Sequence, residues 1–406
     1  MASFARLAGR AVAGAGVLAL SPVLGLATLA GMAMVGAEPM VFAVTGLAVF
    51  ASVFFLGLLL CVPRPRAAWG RWARAVVILG VEVAVVWHVS AATLRPPAAR
   101  APVAPVAGQR EWRLPTGSEL AYVRLAPKRV TRPDPVVFLH GGPGVADLAA
   151  SSAFFRKLTA DGYQVYVYDQ LGAGRSARLP DPRGYGLTRD VADLEAIRET
   201  VGAKRLNLIA HDHGARLATA YLAAHPDRVA RAVLASPAWT PQRQDGRLEV
   251  AAAFGRDGSP DPRLLAVSTL LRVEPLAAHA FAGDRELDAY LGLVRQGARH
   301  PCPAAATTGS GGYAGLIGRA APGSSSLSSL TEVTAPVLIV KAACDEQSWA
   351  SAMDYRRALP SATFAYLGGG TYRSEAYLGL LRAFLTGGRV HAYEGDVPPP
   401  DYRGPR

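Results

Sequence analysis

Leu206-Asn207-Leu208-Ile209-Ala210-His211-Asp212-His213-Gly214-Ala215 is the segment from which the rest of the chain can be placed. Its apolar opening, 206–209, reads as a buried strand, and a helical pattern through Ala215–Ala224 follows at once. A strand that turns this sharply into a helix lifts one side chain out of the bend, the G-x-nucleophile-x-G arrangement. The lifted residue here is an acid, Asp212, and the first small position is Ala210. A carboxylate is a reasonable nucleophile toward an sp³ carbon that bears a strained or good leaving group. Toward an amide it is a poor one, because the anhydride formed is less stable than the substrate. The plainer alternative is that a nucleophile has been lost and Asp212 only caps the helix.

Outward from this turn, strands and helices alternate from Glu111 onward, the pattern of a mostly parallel sheet covered by helices. Strands are expected at Ala121–Leu125, Pro135–Leu139, Gln164–Tyr168, Leu206–Ile209, Val229–Leu234, Val337–Val340 and Thr363–Leu367. Helices are expected through Phe154–Leu158, Val191–Val201, Ala215–Ala224, Ala350–Leu359 and Ala376–Leu385. The alternation breaks from about Thr240 to Leu330, where short helical patterns (Pro262–Arg272, Asp284–Arg295) mix with Gly/Ser-rich runs. An insertion there predicts a lid over the carboxyl ends of the strands, the crevice where such sheets bind ligands. The resulting division is a membrane segment at 1–93, a Pro/Ala-rich linker at 94–109, core at 110–239, lid at 240–330, core at 331–390 and a Pro-rich tail at 391–406.

His140-Gly141-Gly142-Pro143-Gly144 closes one buried strand, and glycines there let backbone N–H groups approach a developing oxyanion. Asp169-Gln170-Leu171-Gly172-Ala173-Gly174-Arg175-Ser176 closes the next, and Asp193-Leu194-Glu195-Ala196-Ile197-Arg198 lies on the helix after it. These three motifs resemble the α/β-hydrolase superfamily, in particular its proline iminopeptidase-like branch, strongly over Glu111–Pro237 and more weakly from Pro336 onward. The aspartate elbow instead resembles that of epoxide hydrolases and haloalkane dehalogenases. The resemblance implies an α/β-hydrolase fold with a helical lid and a catalytic triad.

Asp345, just after the strand Val337–Val340, matches the triad acid, with Glu346 beside it. The family's histidine is missing: Leu367-Gly368-Gly369-Gly370-Thr371 places threonine, Thr371, where it belongs. That histidine normally activates the water that hydrolyses the covalent ester, so an ester on Asp212 should persist. His213 is the candidate replacement, as acid/base or as a backbone oxyanion donor with Gly141 and Gly142. His140 is expected to orient that loop, and His211 to pack behind the elbow. Tyr290 and Tyr313 are candidate lid donors to an epoxide oxygen, against an ordinary packing role for each. No cofactor and no metal is expected.

Three apolar stretches, Ala11–Met34, Met40–Val62 and Ala75–Ala92, have the length or nearly the length of a transmembrane helix. Arg64, Arg66, Arg71 and Arg74 crowd the loop after the second stretch, so the positive-inside rule sets that loop in the cytoplasm. The soluble domain is then extracytoplasmic in a multi-pass cell-membrane protein, and remains so if the first stretch is a signal peptide. Outside the spans only Cys302 and Cys344 remain, a pair that an oxidising compartment could link. The net charge of +12 is nearly all scattered arginine without a concentrated basic patch, which argues against nucleic-acid binding. Three function classes follow. The chain is an epoxide-hydrolase-like enzyme, or an acid/base ring-opening or cyclising variant, on a small apolar organic substrate. It is an inactive binding or signalling domain. Or it is a serine-less relative of prolyl aminopeptidases. Oligomeric state is left open.

Overall fold

The computed structural model describes residues 2–96, 104–142, 144–237, 261–297, 309–320, 330, 333–369 and 372–405. In chain order the helices are α1 (Ala2–Met34), α2 (Pro39–Cys61), α3 (Ala68–Leu94), α4 (Leu148–Phe155), α5 (Leu187–Thr200) and α6 (His213–Ala224), then α7 (Pro262–Val273), α8 (Pro275–Phe281), α9 (Asp284–Gly297), α10 (Gly312–Ala320), α11 (Trp349–Ala358) and α12 (Glu375–Leu385). The strands are β1 (Gln109–Arg113), β2 (Glu119–Leu125), β3 (Val136–Leu139), β4 (Val145–Ala146), β5 (Val165–Tyr168), β6 (Leu206–His211), β7 (Val229–Ala235), β8 (Gly309–Ser310), β9 (Val337–Ala342) and β10 (Thr363–Leu367). They form two compact units, Met1–Ala99 with Gly246–Glu286, and Arg100–Asp245 with Leu287–Arg406.

In the first unit, α1, α2 and α3 are long and apolar enough to cross a membrane. α1 and α2 pack as an antiparallel hairpin through facing glycines: a Cβ on Gly25 would lie 3.0 Å from the Gly46 carbonyl oxygen. Such small residues let two apolar helices approach where no hydrophobic force between them exists in lipid. Arg74 at the start of α3 donates to the carbonyls of Leu59 and Val62 at 2.9 and 3.0 Å, placing a cation on the carboxyl end of α2. The residues expected as a lid are divided: α7 and α8 pack against α1, α2 and α3 within this unit.

The second unit is built on a mostly parallel sheet flanked by helices. Its eight-stranded sheet runs β1-β2-β5-β3-β6-β7-β9-β10. β2 pairs antiparallel with β1 and with β5, and every other pairing is parallel. β1 is a strand that hydrophobic period does not reveal, because only Trp112 of its five residues is buried. It is fixed by pairing, with Trp112 opposite Leu120 and its ring stacked 3.8 Å from Tyr122. Val136, Phe138, Val165, Val167, Ile209, Val233, Leu338 and Val340 join Phe154, Phe155 and the α12 residues Tyr377, Leu378 and Leu381 in one core. Alternate residues point to the other face, and this period carries Lys341 there, with its side chain fully buried. The Pro-rich tail is ordered against the sheet's far edge: Tyr393 N–H donates to Phe364, Trp349 N–H to Pro405 and Arg403 N–H to Ala343.

Candidate active site

Asp212 sits between β6 and α6 with φ 54° and ψ −117°, a conformation that a non-glycine residue rarely adopts. Such a residue costs on the order of 1–3 kcal/mol and persists only where its surroundings over-determine it. Here they do. Asp212 N–H donates to Ala235 at 3.0 Å, and the Asp212 carbonyl accepts from Ala215 N–H at 3.0 Å. Gly214 has no room for a side chain, since a Cβ there would lie 2.2 Å from the Leu139 carbonyl oxygen.

The bend delivers the carboxylate to the loop after β3. Gly142 N–H donates to Asp212 Oδ2 at 2.8 Å, so the backbone of the loop after β3 holds one carboxylate oxygen. Gly142 presents that N–H with φ 128°, open to glycine alone. Asp212 Oδ1 accepts from Gln347 Nε2 at 2.6 Å. Among the described residues these are the two hydrogen-bond partners of the carboxylate. Gln347, two residues beyond the candidate acid, was not singled out by sequence, because its approach to Asp212 depends on how the loop after β9 folds.

That loop is fixed by Asp345, buried with no exposed side-chain surface. Asp345 accepts from Gln347 N–H at 2.8 Å, from Ser236 Oγ and from the Tyr372 hydroxyl, and it pairs with Lys341 Nζ at 3.0 Å. Ser236, at the end of β7, also holds a left-handed conformation with φ 48°. Lys341 donates to the Gln347 carbonyl at 2.7 Å, and the Tyr402 hydroxyl of the tail donates to the same oxygen at 3.0 Å. Burial pushes the Lys341 amine below its ordinary range, opposed by Asp345. The acid therefore orients a carboxamide loop and a tyrosine. Tyr372 follows Thr371, which lies outside the described residues, and its ring meets His211 edge-on at 4.8 Å. A lone lysine in the otherwise apolar run 337–342 was the available sequence signal for this cluster.

His213 is buried, and its Nε2 lies 3.9 Å from Asp190 Oδ2 with no hydrogen-bond partner among the described residues. Tyr290 and Tyr313 are both buried. Cys344 is disulfide-bonded and Cys61 carries a free thiol, while Cys302 lies outside the described residues. No cluster able to hold a metal ion occurs among the described residues.

His140 braces the loop after β3. Its Nδ1 lies 2.8 Å from the Gly141 carbonyl, and its Nε2 accepts Gln170 N–H at 2.8 Å, a pattern that only the neutral ring satisfies. Burial lowers its pKa from 6.5 to about 4. Below pH 6.5 the unfolded chain takes up a proton that the fold refuses until about pH 4. The stability this ring contributes is complete above the unfolded value and is lost as pH falls toward the folded one, about 3 kcal/mol in all. Denaturant unfolding between neutral pH and pH 4.5 should therefore be markedly steeper in pH for the native chain than for His140→Gln; equal slopes would refute the assignment.

A family model described as the alpha/beta hydrolase fold matches residues 134–264, which include this elbow and the whole of His140–Gly144. Residues 134–264 therefore carry the α/β-hydrolase fold. Proline iminopeptidase of Lactobacillus helveticus (strain DPC 4571) is 34% identical over 133 residues, 31% of this chain and 43% of that protein. The (lyso)-N-acylphosphatidylethanolamine lipase of Homo sapiens is 32% identical over 176 residues, 42% of this chain and 47% of that one. The matched segment thus spans less than half of either curated relative. Among solved structures, the proline iminopeptidase of Mycobacterium smegmatis aligns with TM-score 0.45 and 19% identity, covering 68% of this chain and 95% of that one.

Proposed function

We propose that the second unit is a hydrolase-type enzyme in which the Asp212 carboxylate attacks a small, apolar organic electrophile of the epoxide class. The observation that carries this reading is the carboxylate itself: it is held on a strained elbow with Oδ2 on the Gly142 N–H and Oδ1 on Gln347. A helix cap would need neither that strain nor an oxyanion donor. In the proposed step Oδ1 forms a bond to a ring carbon while the carbon–oxygen bond breaks, and the ring oxygen takes a proton from water or from Tyr290 or Tyr313. Oδ1 can accept Gln347 and still attack, because a carboxylate oxygen has more than one lone pair.

Hydrolysis of the resulting ester needs a water and a base. With no imidazole on Asp212 among the described residues, the ester should accumulate, visible as added mass on the intact protein. Gln347→His puts an imidazole where the carboxamide lies, and should speed decay of the adduct by at least about 10²-fold, the lower range of general-base catalysis. An unchanged adduct lifetime would remove Gln347 as the stand-in for the missing base.

A second reading is supported by the commitment of Asp345 to Lys341, Tyr372 and Ser236. It is a catalytically inactive domain that binds its ligand without turnover. The same experiment separates the two, since this reading expects neither adduct nor product. For location we propose anchoring by α1–α3 with the second unit outside the cytoplasm. The arginines between α2 and α3 and the disulfide at Cys344 support it.

A further inference from the structure

Helices α7 and α8 are built into one end of the helical bundle. α1, α2 and α3 alternate in direction, so the carboxyl ends of α1 and α3 lie beside the amino end of α2. Two contacts of the helix pair fall at that end: Phe281 meets Phe42 with ring centroids 5.6 Å apart, and Arg263 Nη1 donates to the Thr93 carbonyl at 2.6 Å. Arg263 is almost fully buried. Its guanidinium also donates to the Phe281 carbonyl at 2.9 Å, pairs with Glu286 Oε2 at 2.8 Å and lies 4.4 Å over the Phe281 ring. One buried cation therefore ties α7, α8, the start of α9 and the end of α3 together.

The outward side of this cap is mixed: Ser268, Thr269 and the exposed Arg272 lie on it among apolar side chains. Val273 and Leu276 are 37% and 39% exposed, and Leu264, Leu265 and Leu271 are half-buried. The same end of the bundle exposes Met34, Val35, Met40 and Val41. Polar groups gather where the short helices stop: Arg272 and Glu274 between them, and the His279–Asp284 pair at 3.1 Å beyond. Trp87 of α3, 69% exposed and 6.0 Å from the Arg95 guanidinium, marks the depth at which aromatic belts sit.

We infer that α7 and α8 lie flat in the headgroup layer of the outer leaflet, with Val273 and Leu276 in contact with lipid. Continuity with the exposed apolar belt of α1–α3 selects the bilayer as the occupant. At the interface the exposed Val273 and Leu276 add to anchoring, while Arg272 beside Val273 reaches the headgroups. The inference rests on the membrane placement of α1–α3 and is independent of the chemistry at Asp212.

The test places a nitroxide on Leu276→Cys in the full-length chain, with Cys61→Ser, reconstituted in phosphatidylcholine nanodiscs. Val44→Cys on α2 and Val130→Cys in the second unit serve as references, exposed by 48% and 53%. The expected result is that oxygen relaxes the label at 276 several-fold more than a water-soluble nickel chelate does, with the reverse at 130. Chelate access at 276 equal to that at 130 would overturn the inference while leaving an oxygen-dominated label at 44 and hence the anchor. Chelate access at 44 as well would remove the anchor and the inference together. Strong spin–spin broadening between labels at 276 would identify a second copy of the chain as the occupant instead. Arg263→Lys keeps the charge but not the fork, and should shift the label at 276 toward the chelate.

Discussion

Asp212→Asn should slow covalent labelling of the full-length chain by a small epoxide at least about 10³-fold, a loss of about 4 kcal/mol of transition-state stabilisation. Asparagine is close to aspartate in size and tolerates positive φ, so the elbow should fold. Its amide can still accept from Gly142 N–H, but it is no longer a nucleophile. The measurement is intact-protein mass against time at excess epoxide, followed by mapping of the modified peptide to the β6–α6 turn. Asp212→Ser sharpens the result. A serine at this position should give no measurable ester or prolyl-amide turnover, because its hydroxyl needs a base that no described residue supplies. If the Asn variant labels as fast as the native chain, Asp212 is not the nucleophile and the binding-domain reading stands.

The elbow was legible in the sequence because it is local. Strand, turn and helix lie within about a dozen residues, and their hydrophobic period shifts where Asp212 stands. The same holds for the loop after β3 and for the seven strands marked by apolar runs. β1 was not legible, since a two-stranded edge held by pairing and one buried tryptophan carries little period. The partners of the carboxylate were not legible either. Gln347 reaches Asp212 across 135 positions, and Tyr402 reaches the Gln347 carbonyl from a tail that composition alone marks as Pro-rich. The short helix α7 was readable from its proline start and the cap at Asp261, whereas α8, started by Pro275 after the cap Glu274, was not singled out. Their attachment to the apolar long helices was not legible, because it turns on contacts far apart in sequence, Arg263 with the Thr93 carbonyl and Phe281 with Phe42.

Lys341→Met should be the most destabilising single change in the site. The side chains of Lys341 and Asp345 are both fully buried and lie 3.0 Å apart. Removing the ammonium leaves Asp345 with three donors, Ser236, Tyr372 and the Gln347 N–H, but with no compensating charge. An uncompensated buried carboxylate of this kind costs about 3–5 kcal/mol, which should lower the melting temperature of the second unit by roughly 10 °C. Adding Asp345→Asn to Lys341→Met removes the orphaned charge and keeps an acceptor for the same donors. The double variant should therefore recover most of the loss, a coupling of at least about 2 kcal/mol. A double variant no more stable than Lys341→Met would show that the lysine acts by packing. The single change also strips the 2.7 Å hydrogen bond from the Gln347 carbonyl and leaves only Tyr402 on that oxygen. Epoxide labelling of Asp212 should consequently slow in Lys341→Met even at temperatures where the variant is fully folded, because the backbone carbonyl of Gln347, whose side chain orients Oδ1, has lost its Lys341 donor.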